Sequence, residues 1–329
     1  MKMASTVLGV DIGSGTVKLA LCKGGKIRKT AVAPMPENLL KDGRITSPES
    51  MGELIRAAMR MSKIRASAAA LVLPSESCYI RTITMPVMGA EELKYNIPYE
   101  FNDYITGELK SYVFDYTVTG LSEQDGESLE LLCVAGPLDL LESSQEMLRK
   151  AGLKMVRAAP AEIAYISLIR RMEQATSRKD REYCIVDLGY TSIRMYMFKG
   201  ERYEVTRILE VGLSSLDDVI ADNMETDVHL AHTYLLTNYE QVQEKDFCVN
   251  AYTNIAVELM RSLNFYRFSN PDSTLNDVWL CGGGAAIQPL CDTISQTLDM
   301  TIHKAGELIE STGAESPNDF VRAVGITIE

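Results

Sequence analysis

Two stretches of the chain carry the same order of apolar and polar positions. Val7-Leu8-Gly9-Val10 meets Asp11-Ile12-Gly13, passes Ser14-Gly15-Thr16, resumes as the apolar run Val17 to Cys22 and turns at Lys23-Gly24-Gly25-Lys26. Tyr183-Cys184-Ile185-Val186 meets Asp187-Leu188-Gly189, passes Tyr190-Thr191-Ser192, resumes as Ile193 to Phe198 and turns at Lys199-Gly200-Glu201-Arg202. The registers match without a gap: Asp11 and Asp187 stand 176 residues apart (187 − 11), and the same offset pairs Gly13 with Gly189, Lys18 with Arg194 and Gly24 with Gly200. Strand-length β-branched runs separated by a polar bend and a glycine turn predict an antiparallel meander in each half. Repetition in register predicts one unit built twice.

Helical periodicity follows each copy. In the first half Ser47 stands where a helix cap is needed, Pro48 suits the first helical position, and Met51, Leu54, Ile55, Ala58 and Met59 fall on one stripe. In the second half Tyr252 to Phe268 reads as a longer amphipathic helix. Strands mixed with helices predict α/β layers rather than a sandwich or a bundle. The polar stretch Glu173 to Glu182 has no apolar pattern and marks the boundary between the halves. Two stretches read as insertions. From Met85 a helical segment, Ala90 to Tyr104, is interrupted at Pro98 and leads to a strand, Tyr112 to Val118. The acidic turn Glu123 to Glu127 then leads to a strand, Leu129 to Ala135, and a helix, Leu138 to Lys150, that Gly152 ends. In the second half Leu216 to Tyr239 reads as short helices in the equivalent position.

Composition narrows the partners. With 33 Lys and Arg against 45 Asp and Glu, the net charge is −12, which predicts no sequence-independent nucleic-acid surface. The longest apolar run, Ala66 to Leu73, falls far short of the roughly 18 residues of a spanning helix, so no membrane crossing is expected. Val7 to Val10 meets Asp11 before a signal-peptide core forms, which argues against secretion by that route. Seven scattered cysteines with no C-x-x-C pair predict buried thiols in a reduced, cytoplasmic protein.

The two bends carry the candidate chemistry. Neither is a Walker loop or a dinucleotide fingerprint, yet a tight bend rich in glycine and hydroxyls aims consecutive backbone N–H groups at phosphate oxygens. Gly13, Ser14, Gly15 and Thr16 of the first, with Gly189, Tyr190, Thr191 and Ser192 of the second, are the candidate clamp. Asp11 and Asp187 beside a polyphosphate would repel it unless a cation intervened, so the pattern predicts Mg²⁺ held through water by these two carboxylates. Lys18 is a candidate phosphate neutraliser, with a solvated outer-face position as the alternative. A third element follows the apolar run Val278 to Cys281: Gly282, Gly283, Gly284 and Ala285, where the absence of Cβ atoms admits a planar ring to the backbone. Upstream, Glu258 and Arg261 share a helical face and suit a ribose and a base.

With these three elements in order, the chain resembles the actin-like ATPase superfamily of actin, Hsp70 and sugar kinases. Asp11 to Thr16 looks like its first phosphate motif, Asp187 to Ser192 like its second and Cys281 to Ala286 like its adenosine motif. Pro160 to Ala164 and Phe320 to Ile326, with Ala323 and Gly325, look like the two connecting helices. Within the superfamily the chain is similar to the PilM family of type IV pilus assembly, through Asp11-Ile12-Gly13-Ser14, Pro34-Met35-Pro36, Asp42-Gly43-Arg44-Ile45, Arg81-x-Ile83-x-Met85-Pro86, Asp115-Tyr116, Arg261-Ser262-Leu263-x-Phe265-Tyr266 and Gly282-Gly283-Gly284-Ala285.

The resemblance implies an α/β, actin-like (ribonuclease H-like) duplicated two-lobe fold with an interdomain nucleotide cleft and an inserted small α+β subdomain. It implies a first lobe over 1–175 with the insert at about 86–152, and a second lobe over 181–329 with a helical subdomain at about 212–250. The C-terminal helix at 319–329 would return to the first lobe. ATP and Mg²⁺ would bind in the cleft with slow or partner-dependent hydrolysis. A groove near Leu39, Leu40 and Ile45 would take the cytoplasmic N-terminal segment of a PilN-like membrane protein. The chain would then sit at the inner face of the cytoplasmic membrane through that partner and other pilus platform proteins, with a homo-oligomer allowed.

Three departures stand out. Tyr190 is bulky where the second phosphate loop of relatives is small, and Ala158-Ala159-Pro160 lacks the side chain that orients the attacking water unless Glu162 serves. Pro98 interrupts a segment that relatives carry as a continuous helix. Two other classes compete with the adaptor: an FtsA-like filament scaffold, which calls for a C-terminal amphipathic helix not seen before Glu329, and a small-molecule kinase, which calls for a sugar pocket and a base. His229 and His232 have metal-ligand spacing without a third ligand nearby, so a structural role is expected.

Overall fold

The structure is a computed structural model and describes residues 6–41, 43–121, 127–176, 181–309 and 317–328. The acidic turn from 123 to 126, residues 177–180 of the polar boundary, and Asp42 lie outside the described residues.

In the first half β1 (Thr6–Ile12), β2 (Thr16–Lys23) and β3 (Lys26–Pro34) form the expected meander, followed by a small hairpin of β4 (Leu40–Lys41) and β5 (Arg44–Ile45). Helix α1 (Pro48–Met61) starts where its cap predicts, the Ser47 hydroxyl accepting from the Ser50 N–H. Next come β6 (Ala68–Leu73), β7 (Tyr79–Pro86), α2 (Ala90–Asn96), β8 (Tyr112–Leu121), β9 (Ser128–Pro137), α3 (Leu138–Lys150) and β10 (Lys154–Pro160). Pro98 ends α2 as the sequence indicates, and the chain continues as a 3₁₀ turn. Helix α4 (Ala161–Thr176) leads to the second half, where β11 (Glu182–Leu188), β12 (Ile193–Lys199) and β13 (Arg202–Leu209) repeat the meander. Then follow α5 (Ser214–Met224), α6 (Val228–Thr237), α7 (Asp246–Ser269), β14 (Asp277–Cys281), α8 (Gln288–Thr297), β15 (Thr301–Lys304) and α9 (Val321–Gly325).

The duplication is complete at the level of the sheets. One has the order β3-β2-β1-β6-β10 and the other β13-β12-β11-β14-β15, with the last two strands of each parallel to the first strand of its meander. The central strands β1, β2, β6, β11, β12 and β14 are covered on both faces, which explains their near-continuous apolar runs. Leu8 and Val10 of β1 face a core with Met51 and Ile55 of α1 and Met147 and Leu148 of α3. Cys184, Val186 and Leu188 of β11 face α5 to α8, while Tyr183 and Ile185 point the other way. That other face joins the halves: α4 and α9 lie between the two sheets, and one core holds Ala70 and Val72 of the first with Tyr196, Phe198 and Trp279 of the second.

Helix α3 was expected inside the inserted unit; its buried residues pack on α1 instead, so the unit with its own core is β7-β9-β8 with α2. Close approach fixes α9. A Cβ on Gly9 would stand 1.6 Å from the Ala323 carbonyl oxygen, and one on Gly325 would stand 2.3 Å from that of Ala164. Only glycine lets β1, α9 and α4 pass so near one another. All seven cysteines are free, and all but Cys78 are buried. No helix among the described residues is long and apolar enough to cross a membrane.

Candidate functional site

Each bend closes locally. The Gly13 N–H donates to the Thr16 carbonyl at 2.9 Å, and Gly189 lies so near the Ser192 carbonyl that a Cβ would stand 2.5 Å from it. The bends place Asp11 and Asp187 one residue before the end of β1 and β11, both carboxylates buried. In register, Asp11 pairs with Lys18 and Asp187 with Arg194. The bends meet across the interface between the lobes. The Thr191 hydroxyl donates to the Ser14 hydroxyl at 3.1 Å, and a Cβ on Gly15 would stand 3.1 Å from the Tyr190 ring.

A residue that sequence reasoning missed lies at the centre. Arg322 of α9 reaches between the lobes, its Nε donating to Asp11 Oδ2 at 3.0 Å and its Nη1 lying 2.9 Å from Asp187 Oδ2. Burial opposes the charge, and the Asp11 and Asp187 carboxylates overcome it, holding the guanidinium's pKa well above its ordinary value. Lys18 is buried in the same place, 4.0 Å from Asp319, so its outer-face reading is set aside. Asp11, Lys18, Tyr165, Asp187, Cys281, Gly282, Asp319 and Arg322 are among the residues that line a cavity of ≈ 10 Å³. That is room for about one water.

The other candidates have different neighbours. Gly282 adopts φ +84°, and a Cβ there would stand 2.3 Å from Asp187 Oδ1. A Cβ on Gly284 would stand 2.7 Å from Leu188 Cβ and 3.1 Å from Leu213, and one on Gly283 3.4 Å from Leu213, so the glycine run lets the chain pack against its own lobe. Ala285 is buried in that core. Glu258 and Arg261 pair with each other at 2.5 Å on the exposed side of α7. Glu162 is buried away from the cavity, its two oxygens accepting from the hydroxyls of Ser75 (2.8 Å) and Thr206 (3.0 Å). Burial pushes its pKa up. In place of an oxygen free to orient water, the structure gives Glu162 a tie between the lobes.

His229 and His232 each pair with a carboxylate. His232 Nδ1 lies 2.9 Å from Asp217 Oδ2, whose hydrogen bond raises the imidazole pKa, and its ring meets Tyr190 edge-on. Burial, with Asp217 nearby, pushes the Tyr190 phenol up to about 12. His229 pairs with Glu37 across the mouth of the interface at 3.0 Å.

Residues 9–308 of this lobed, duplicated chain match the family described as type IV pilus assembly protein PilM. The chain belongs to the PilM family. Among solved structures it superposes on the PilM–PilN type IV pilus biogenesis complex with a TM-score of 0.80 at 22% identity, covering 98% of this chain and 97% of that one. It superposes on the ethanolamine utilization protein EutJ from Carboxydothermus hydrogenoformans with a TM-score of 0.62 at 14% identity, covering 98% and 89%. For apo ParM of psk41 the TM-score is 0.50 at 12% identity, covering 98% and 95%. These likenesses establish the actin-like fold.

The ATP and Mg²⁺ that the PilM resemblance implies do not fit the residues as they stand. The two carboxylates that would carry the metal share one guanidinium, and the two bends that would hold a polyphosphate touch each other. A cavity of ≈ 10 Å³ compares with roughly 300–1,000 Å³ for ordinary ligand sites.

Proposed function

We propose that the chain is an adaptor of a type IV pilus assembly platform that binds the cytoplasmic N-terminal segment of a PilN-like membrane protein. Through that partner it sits at the inner face of the cytoplasmic membrane, beside other platform proteins. The observation that supports this most is the family match over residues 9–308, together with a fold shared along 98% of the chain with the PilM–PilN complex. The segment's place in this reading is the open concavity of ≈ 510 Å³ beside Lys41, Arg44, Ile45 and Thr46. Ile45 packs on the first-lobe core, and Gly43, at φ +73°, turns the hairpin so that a Cβ would stand 3.2 Å from Glu76, at the entry to the inserted unit. Of the three anchors expected there, Leu39 is buried in the core and Leu40 and Ile45 are partly exposed. Arg322 between the two aspartates argues against nucleotide binding, and the engaged Glu162 argues against hydrolysis.

The test is calorimetric titration of the full chain with a synthetic peptide matching the N-terminal cytoplasmic segment of the PilN-like protein from the same genome. Saturable binding that Ile45→Asp weakens at least tenfold supports the reading. No binding by the folded wild type overturns it.

A further inference from the structure

We propose that Arg322 is a resident cation standing where a metal–nucleotide would otherwise be, so that the lobes are held together without any nucleotide. A single planar guanidinium meets a carboxylate of each lobe, hydrogen-bonding Asp11 at 3.0 Å and pairing with Asp187 at 2.9 Å. A divalent metal bridging two carboxylates would satisfy the same need, and the chain meets it with its own side chain. Lys18 adds a second buried cation to this centre, where the carboxylates are those of Asp11, Asp187 and Asp319. A further divalent ion would meet two positive charges already in place.

The surrounding packing agrees with the charge. Tyr190 fills the gap opposite Gly15, and the Thr191–Ser14 hydrogen bond closes the passage between the bends. Asp187 Oδ1 leans over Gly282, and Leu188 and Leu213 occupy the space beside Gly284. The backbone that carries Arg322 is pinned on both sides, by Gly9 against Ala323 and by Gly325 against Ala164. Withdrawing the guanidinium would leave the buried carboxylates of Asp11 and Asp187 without their shared partner and Lys18 as the one cation among three carboxylates, an arrangement that is unfavourable without a replacement cation. The arrangement concerns the cleft alone and holds whether or not the partner groove is correctly placed.

The experiment is a paired measurement on the full chain. Wild type is titrated calorimetrically with MgCl₂ alone and with Mg²⁺–ATP, and its melting temperature is followed alongside that of Arg322→Ala. The expected result is no binding and no shift for wild type, and a lowered melting temperature for Arg322→Ala that Mg²⁺ alone raises again by occupying the freed carboxylates. Saturable Mg²⁺–ATP binding by wild type, or binding that Arg322→Ala abolishes, overturns the proposal, since Arg322 would then be a ligand of the nucleotide rather than its replacement. A folded Arg322→Ala that melts like wild type and ignores Mg²⁺ also overturns it. The wild-type titration decides by itself if the variant does not fold.

Discussion

The two helices between the sheets solve one problem with opposite charges. Each carries an ionic residue at its second position, Glu162 on α4 and Arg322 on α9, and each residue bonds to both lobes. Glu162 receives neutral hydroxyls, Ser75 from the first lobe and Thr206 from the second. Arg322 donates to the Asp11 carboxylate of the first lobe and forms an ion pair with the Asp187 carboxylate of the second. The difference lies in what remains when the tie is cut. Without Glu162, two hydroxyls lose an acceptor and can turn elsewhere. Without Arg322, Asp11 and Asp187 lose the partner they share and Lys18 is left as the one cation among three carboxylates in a buried site, which is why α9 carries the stronger lock.

The largest effect is therefore expected at Arg322. Arg322→Ala lowers the unfolding free energy by about 3–5 kcal/mol, the usual cost of stranding a buried partner, as measured by urea denaturation in Mg²⁺-free buffer. A loss no larger than that of an exposed residue would end the asymmetry between the helices. Asp187→Asn removes one charged acceptor and keeps the shape beside Gly282, so about 1.5–3 kcal/mol is expected in the same assay.

Glu162 sharpens the comparison through pH. Burial raises its carboxyl above the ordinary value of 4.5, so the folded chain binds that proton more tightly than the unfolded one. Its contribution is greatest below about 4.5 and declines as pH rises through the raised value, because the folded state must then bury a charge. Glu162→Gln flattens that decline in denaturation series run from acid to neutral pH; an unchanged slope would remove Glu162 as its source. The smallest effect is expected at the interface mouth. The His229–Glu37 pair is about four-fifths exposed on each side, and His229→Ala leaves the melting temperature within error.

Much of this was legible in the chain. The offset of 176 residues between the bends foretold two sheets of matching order, and Ser47-Pro48 foretold the start of α1. The facing of the bends was legible too, because both follow the same strand of a duplicated unit. What the pattern did not disclose was what fills the space between them. Phe320 to Ile326 was readable as a connecting helix through Ala323 and Gly325, yet the informative residue was the one that broke its apolar run. An arginine set among Val321, Ala323 and Val324 must find acidic partners or pull the helix out of the core. The two aspartates assigned to a metal were those partners, but sequence spacing does not show which side chains converge from 311 residues away (322 − 11) and 135 residues away (322 − 187). Helix α3 was misplaced for a similar reason: its pattern shows an apolar face but not which neighbour covers it.

The most direct measurement of the central claim is a crystal structure of the wild-type chain grown in saturating Mg²⁺–ATP. The account predicts the Arg322 guanidinium still within hydrogen-bond distance of both Asp11 and Asp187, with Ser14 and Thr191 in contact. Phosphates between the two bends, with Arg322 turned away from the aspartates, would contradict it.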